Sequence, residues 1–185
     1  NLNTIMQFIS RPSWCLNMMT AKKLNFGNIM GHVTNVTNLA SLASWTADQF
    51  DPTLTWEDIS WIKDRWKGKL ILKGIMDSED AMLAVKAGAD AIIISNHGGR
   101  QLDGAPSTIS VLPEIVDAVN SKVEVHFDGG VRSGQDVLKA LALGADCIHI
   151  GRPYVYGLGA KGQEGVEIAI EIIKKELDLT MAMCG

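Results

Sequence analysis

The stretch Leu70–Ser95, LILKGIMDSEDAMLAVKAGADAIIIS, switches between the two periods of secondary structure in a fixed order. Leu70-Ile71-Leu72-Lys73 is a short apolar run ending at Gly74, Ser78–Ala87 reads as a helix closed by Gly88, and Ala91–Ser95 is a second apolar run. Upstream, Thr55 is a candidate N-cap, Trp56, Ile59, Ile62 and Trp66 recur at near-helical spacing, and Gly68 follows as a stop. Downstream the same unit returns, with strands expected at Val123–Phe127 and Cys147–Ile150, each followed by a helical pattern. Strands that are apolar almost throughout suit a parallel sheet built by βαβ connections. Residues 55–185 therefore read as four βα units of an α/β fold.

A Rossmann sheet and a barrel both meet that description. An internal echo bears on the choice: Gly74, Asp80, Ala84, Gly88-Ala89-Asp90, Ile92 and Ile94 reappear at constant spacing as Gly130, Asp136, Ala140, Gly144-Ala145-Asp146, Ile148 and Ile150. A repeated quarter of a (β/α)8 TIM barrel produces such self-similarity, although doubly wound sheets also carry repeats. Four parallel strands alone leave two unpaired edges, so this half barrel, about strands 5 to 8, calls for a partner half in the same polypeptide or another chain. Residues 1–54 are rich in Asn, Met and Trp, show short helical patterns at Thr4–Ile9, Pro12–Met19 and Leu39–Phe50, and read as connecting helices and loop. The start, Asn1-Leu2-Asn3, has neither an initiator Met nor a charged leader, so the chain is expected to be a piece of a longer protein.

Composition narrows the function classes. With 17 Lys and Arg against 21 Asp and Glu, spread without long runs of one sign, no broad basic surface favours nucleic acid. Cys15, Cys147 and Cys184 stand far apart, which argues against both a zinc site and a disulfide scaffold and fits a reducing compartment. No apolar stretch approaches the roughly 20 residues that span a bilayer.

In βα proteins the ligand lies beyond the C-terminal ends of the strands. Those ends read Lys73-Gly74, Ser95-Asn96-His97-Gly98-Gly99-Arg100, Asp128-Gly129-Gly130-Val131-Arg132 and Gly151-Arg152. Glycines that let backbone amides approach an anion, helix N-termini and the guanidinium groups of Arg132 and Arg152 make the last two a phosphate site. Taken singly, each of these glycines is as well explained as a turn and each arginine as a solvated group; jointly they favour function. Histidine is the side chain whose unperturbed pKa lies near neutrality, and His97, at a strand tip among glycines, is the candidate acid/base. Arg100 can grip a planar carboxylate with two parallel hydrogen bonds. Together they point to proton removal from a small carboxylic acid. His32, His126 and His149 are read as structural, with His149 packed between strand and helix. Lys73 closes an apolar strand and needs an anionic partner unless it snorkels to the rim. Asp128, unsuited to face a phosphate, matches sugar-like hydroxyls.

Ser95-Asn96-His97-Gly98-Gly99-Arg100-Gln101-Leu102-Asp103 resembles the signature of the FMN-dependent 2-hydroxy acid dehydrogenases and oxidases, which include L-lactate dehydrogenase, glycolate oxidase and mandelate dehydrogenase. Asp128–Gly134 with Ala140–Ala145 is similar to the family's strand-seven motif, a less specific match shared with other phosphate-binding barrels. The resemblance covers almost the whole chain and implies FMN, with Lys73 supporting the flavin ring and Ser95 and Asp128 contacting it. Gly129, Gly130, Val131, Arg132, Gly151 and Arg152 would complete the cofactor site and hold its phosphate. His97 would be the base and Arg100 the carboxylate anchor in oxidation of a small L-2-hydroxy acid, lactate first, to the 2-keto acid. Oxygen or a quinone would accept the electrons, no metal is implied, and the full-length protein would be a homo-oligomer, cytoplasmic or peripheral at the inner membrane. The family's first four strands, with substrate-holding tyrosines and an Asp that orients the catalytic His, have no counterpart here, so the isolated 185 residues are expected to bind FMN poorly and turn over little. The alternatives are an inactive or split half barrel, or a non-oxidising FMN barrel such as a flavin-dependent isomerase. An inosine monophosphate dehydrogenase lacks its cysteine loop here, and an esterase lacks its G-x-S-x-G elbow.

Overall fold

The computed structural model describes residues 1–20, 29, 33 and 39–185, which form two compact units, Asn1–Leu54 and Thr55–Gly185. His32 lies outside the described residues. In the first unit, α1 (Leu2–Ile9) begins at Asn1, whose side chain accepts from the Thr4 amide at 3.2 Å. It meets α2 (Pro12–Thr20) through stacked Phe8 and Trp14 rings, and α3 (Leu39–Asp48) follows.

The second unit runs α4 (Trp56–Arg65), β1 (Ile71–Ile75), α5 (Ser78–Lys86), β2 (Ala91–Ile94), α6 (Thr108–Val119), β3 (Glu124–Phe127), α7 (Gly134–Ala142), β4 (Cys147–Ile148), α8 (Arg152–Lys161) and α9 (Gln163–Cys184). Local chemistry explains the starts. The Thr55 amide donates to the Asp58 carboxylate at 2.7 Å at the head of α4, Asp77 accepts from the Asp80 amide at 2.9 Å at α5, and Ser133 accepts from the Asp136 amide at 3.2 Å at α7.

All strand pairs are parallel, and the sheet order is β1-β2-β3-β4. A doubly wound sheet reverses direction at a switch point; this one advances by one neighbour each time, as one arc of a (β/α)8 barrel does. Ile92, Ile94, Val125 and Phe127 point to the helices, where they bury against Leu112, Ile115 and Val119 of α6, Ala81 and Ala84 of α5, and Val137 and Ala140 of α7. The residues between them in sequence, Ile93 and His126, take the opposite face. The repeated Gly-Ala-Asp turns serve the sheet: the Asp90 carboxylate accepts from the Leu70 amide at 2.9 Å, and Asp146 from Val125 at 2.8 Å. Gly88 and Gly144 before them hold φ of +83° and +100°, where a side chain would be strained.

All four strands differ from their expected spans, β2 (Ala91–Ile94) and β3 (Glu124–Phe127) by one residue each and β1 and β4 by more. β1 continues through Gly74 to Ile75, with a register shift between Lys73 and Ile75, because Gly74 takes φ +100° and bends the strand. β4 is a regular strand only over Cys147–Ile148, although the His149 amide still donates to the Phe127 carbonyl at 2.8 Å. The 22-residue α9 closes the unit by running against α7 and α8; Gly134 abuts the α9 backbone at Leu177, and Gly157 abuts Gly165 where α8 and α9 cross.

Two outcomes follow for stability. Ile92 is fully buried, and Ile92→Ala is expected to lower the unfolding free energy by about 2–5 kcal/mol in chemical denaturation. Hydrogen bonds from Lys63, then the Leu70 amide and Lys69, hold the Asp90 carboxyl well below the usual carboxylate range. A depressed folded-state pKa stabilises above the unfolded value, about 3.9, and that contribution is lost as pH falls toward the folded value. Asp90→Asn should therefore lower the melting temperature at neutral pH and flatten its fall below about pH 4.

Candidate functional site

The loops leaving the four strands meet around one cavity of about 590 Å³. Three strands are tied together beneath it. Lys73 in the middle of β1, before its bend at Gly74, places Nζ 2.7 Å from Asp128 Oδ2, just past β3, and donates to Ser95 Oγ, just past β2, at 2.5 Å. The anionic partner that Lys73 requires is thus supplied inside the chain by Asp128, whose carboxylate is only 20% exposed. Ser95 Oγ also accepts from the His97 amide at 3.2 Å, so one buried hydroxyl positions both the lysine and the next loop.

That loop is a single 3-10 turn, His97–Gly99. His97 has φ +54°, and Gly98 and Gly99 have +68° and +73°. A non-glycine residue in that region is held by its surroundings. Here Asn96 supplies them, accepting from the Gly98 amide at 3.0 Å and donating to the Pro106 carbonyl at 3.2 Å. The exposed His97 imidazole lies over Gly74, where an added Cβ would come within 3.1 Å of Cε1. Among the described residues no side chain hydrogen-bonds its ring nitrogens.

Arg152, at the first position of α8, donates to the Gly98 carbonyl at 2.9 Å and draws the loop after β4 onto the loop after β2. Its guanidinium lies 3.0 Å from where a Cβ on Gly98 would sit, and Gly98 holds φ +68°, where a side chain would be strained. Arg100 and Arg132 are exposed on the cavity wall, and neither they nor Arg152 pairs with a carboxylate among the described residues. The amides leading into α7 are engaged: those of Arg132 and Ser133 donate to Asp136 at 2.9 and 3.1 Å, and that of Gly134 to Glu176 at 2.9 Å. An anion here would meet the Arg132 guanidinium, the glycine backbone and the start of α8.

Ten of the residues singled out in the sequence line this cavity: Lys73, His97, Arg100, Asp128, Gly129, Gly130, Val131, Arg132, Gly151 and Arg152. Ser95 stands behind the wall. His149 corrects an expectation: instead of packing between strand and helix, it is exposed on the cavity side and also lines the cavity. Burial of its ring, and then the neighbouring His126, push its pKa below the ordinary imidazole value. Its spacing from Cys147, two residues along one strand, was the signal for a shared face.

The whole chain, residues 1–185, matches the family described as FMN-dependent dehydrogenase. It is 43% identical over 185 residues to an L-lactate dehydrogenase of Vibrio cholerae serotype O1, covering 100% of this chain and 49% of that protein. It is 44% identical over 186 residues to an L-lactate dehydrogenase of Allorhizobium ampelinum, covering 100% and 49%. Among solved structures, the monotopic membrane protein (S)-mandelate dehydrogenase superposes with a TM-score of 0.87 at 36% identity over 96% of this chain and 47% of that one. A mandelate oxidase with (S)-4-hydroxymandelic acid gives 0.73 at 47% identity over 78% and 40%. The chain spans about half the length of these relatives. Matched from its first residue to its last, it belongs to the FMN-dependent dehydrogenase family.

Proposed function

We propose that the complete protein oxidises a small L-2-hydroxy acid, with L-lactate as its substrate, to the 2-keto acid. The observation that carries this reading is the gathering of the His97 imidazole and three guanidinium groups, none of them paired with a carboxylate among the described residues, around a single cavity. Such a cavity can take an anion at two places and a proton between them.

The residues present fit FMN. Space stands open where a Cβ would lie at Gly130 and Gly151, so backbone there can approach a phosphate flanked by Arg132 and Arg152. Lys73, steadied by Asp128 and Ser95, presents an ammonium to the cavity, suited to the electron-rich edge of a flavin ring. When bound, FMN supplies the two-electron acceptor for the C–H bond that breaks. Arg100 binds the substrate carboxylate and orients the α-carbon. A ring nitrogen of His97 takes the hydroxyl proton, and Arg152, bonded to the Gly98 carbonyl, holds that loop at the cavity. Oxygen or a membrane quinone is the final acceptor. Attachment at a membrane surface is supported by the likeness to a monotopic membrane dehydrogenase, and no helix among the described residues is long and apolar enough to cross a membrane.

The test uses the full-length protein under anaerobic conditions, following the flavin absorbance after L-lactate is added. Bleaching is expected, and a faster response to mandelate would transfer the substrate assignment to it. His97→Gln should keep its FMN and slow bleaching by about 10²–10⁴-fold, the usual contribution of a positioned acid/base. Bleaching at the parent rate would remove His97 from the mechanism. Arg100→Met is expected to lower kcat/KM by about 10–100-fold, since a charge-assisted hydrogen bond contributes about 1.5–3 kcal/mol.

A further inference from the structure

β3 and β4 run parallel with His126 opposite Cys147. Val125 and Phe127 are spent on the helix-covered core, so His126 stands on the other face, Cys147 shares it, and His149 returns to it two residues later. Three side chains of metal-binding type are thereby stacked on this face, and His149 also lines the cavity. His126 Nδ1 and His149 Nε2 lie 3.1 Å apart, and with Cys147 Sγ all three donor atoms fall within 4.8 Å of one another. Two nitrogens bound to one tetrahedral zinc at about 2.0–2.1 Å stand roughly 3.3–3.4 Å apart, so the imidazoles need open by only a few tenths of an ångström.

A second observation is independent of that clustering. On its far side, His126 Nε2 lies 3.2 Å from the Glu124 carboxylate. A carboxylate accepting from one ring nitrogen leaves the other with its lone pair aimed away, here toward His149 and Cys147, which is how metal-bound histidines are held. Cys147 is a free, half-buried thiol.

We propose that His126, Cys147 and His149 bind one zinc ion, with Glu124 orienting His126. One thiolate and two imidazoles select zinc over magnesium or calcium, which take oxygen ligands. Binding releases the Cys147 thiol proton to solvent and leaves a fourth position for water. The site is separate from the oxidation proposed above, since no residue assigned to FMN or substrate is a ligand.

The experiment takes the protein at the full length in which it is made, with its flavin, strips metal with a chelator, and titrates zinc against a chromophoric competitor. One zinc per chain is expected. Cys147→Ser and His149→Phe should each weaken binding by more than about 100-fold, Glu124→Gln by about 10–100-fold, and Cys15→Ser should leave it unchanged. X-ray absorption of the zinc-loaded parent protein needs no variant; it should show one sulfur at about 2.3 Å with nitrogens at about 2.0–2.1 Å. Absence of stoichiometric zinc, binding unaltered in Cys147→Ser, or a coordination shell without sulfur would each overturn the site. Flavin content, read by absorbance in the same samples, reports on the FMN site alone and keeps the two proposals apart.

Discussion

A parallel strand sends its side chains alternately to two faces, and in this sheet each face carries a different chemistry. Ile92, Ile94, Val125 and Phe127 go to the helices and bury completely or nearly so. Lys73, Ser95, His126 and Asp128 go to the other side, toward the ion pair, the hydroxyl and the imidazole cluster. A slip of one residue in β3 would put His126 and Asp128 into the apolar core and Phe127 into the cavity. Burial of one face therefore determines which polar groups meet on the other.

Electrostatics divides the polar face again. Lys73 and Asp128 neutralise each other at 2.7 Å, and because both keep some exposure their attraction adds little to stability. Its value is geometric, since Ser95 joins the pair and passes the constraint on to the His97 amide. The arginines around the mouth have no such partner among the described residues. Unmatched cations on a concave wall attract an anionic ligand, and their separation between the loop after β2 and the loops after β3 and β4 suits two different anions.

The internal repeat belongs to folding and not to catalysis. Asp90 and Asp146 do the same work, each accepting from an amide at the start of the preceding strand. Gly74 and Gly130, the other matched pair, have diverged: one underlies the His97 ring, and the other leaves open space at the cavity. The residues proposed to carry chemistry, His97, Arg100, His126 and His149, have no echo.

Sequence periodicity was enough for four strands, the helices before and between them, and the residues at the strand tips, because those depend on neighbours a few positions away. It located Lys73, His97, Arg100, Asp128, Arg132 and Arg152 as groups near a rim. It left barrel and doubly wound sheet unresolved, since only the spatial order β1-β2-β3-β4 distinguishes them. Nor could it pair Lys73 with Asp128, turn His149 toward the cavity, or bring Cys147 beside His126. Those contacts join different strands, and register and facing, which the tertiary structure alone decides, set which side chains meet across a parallel ladder.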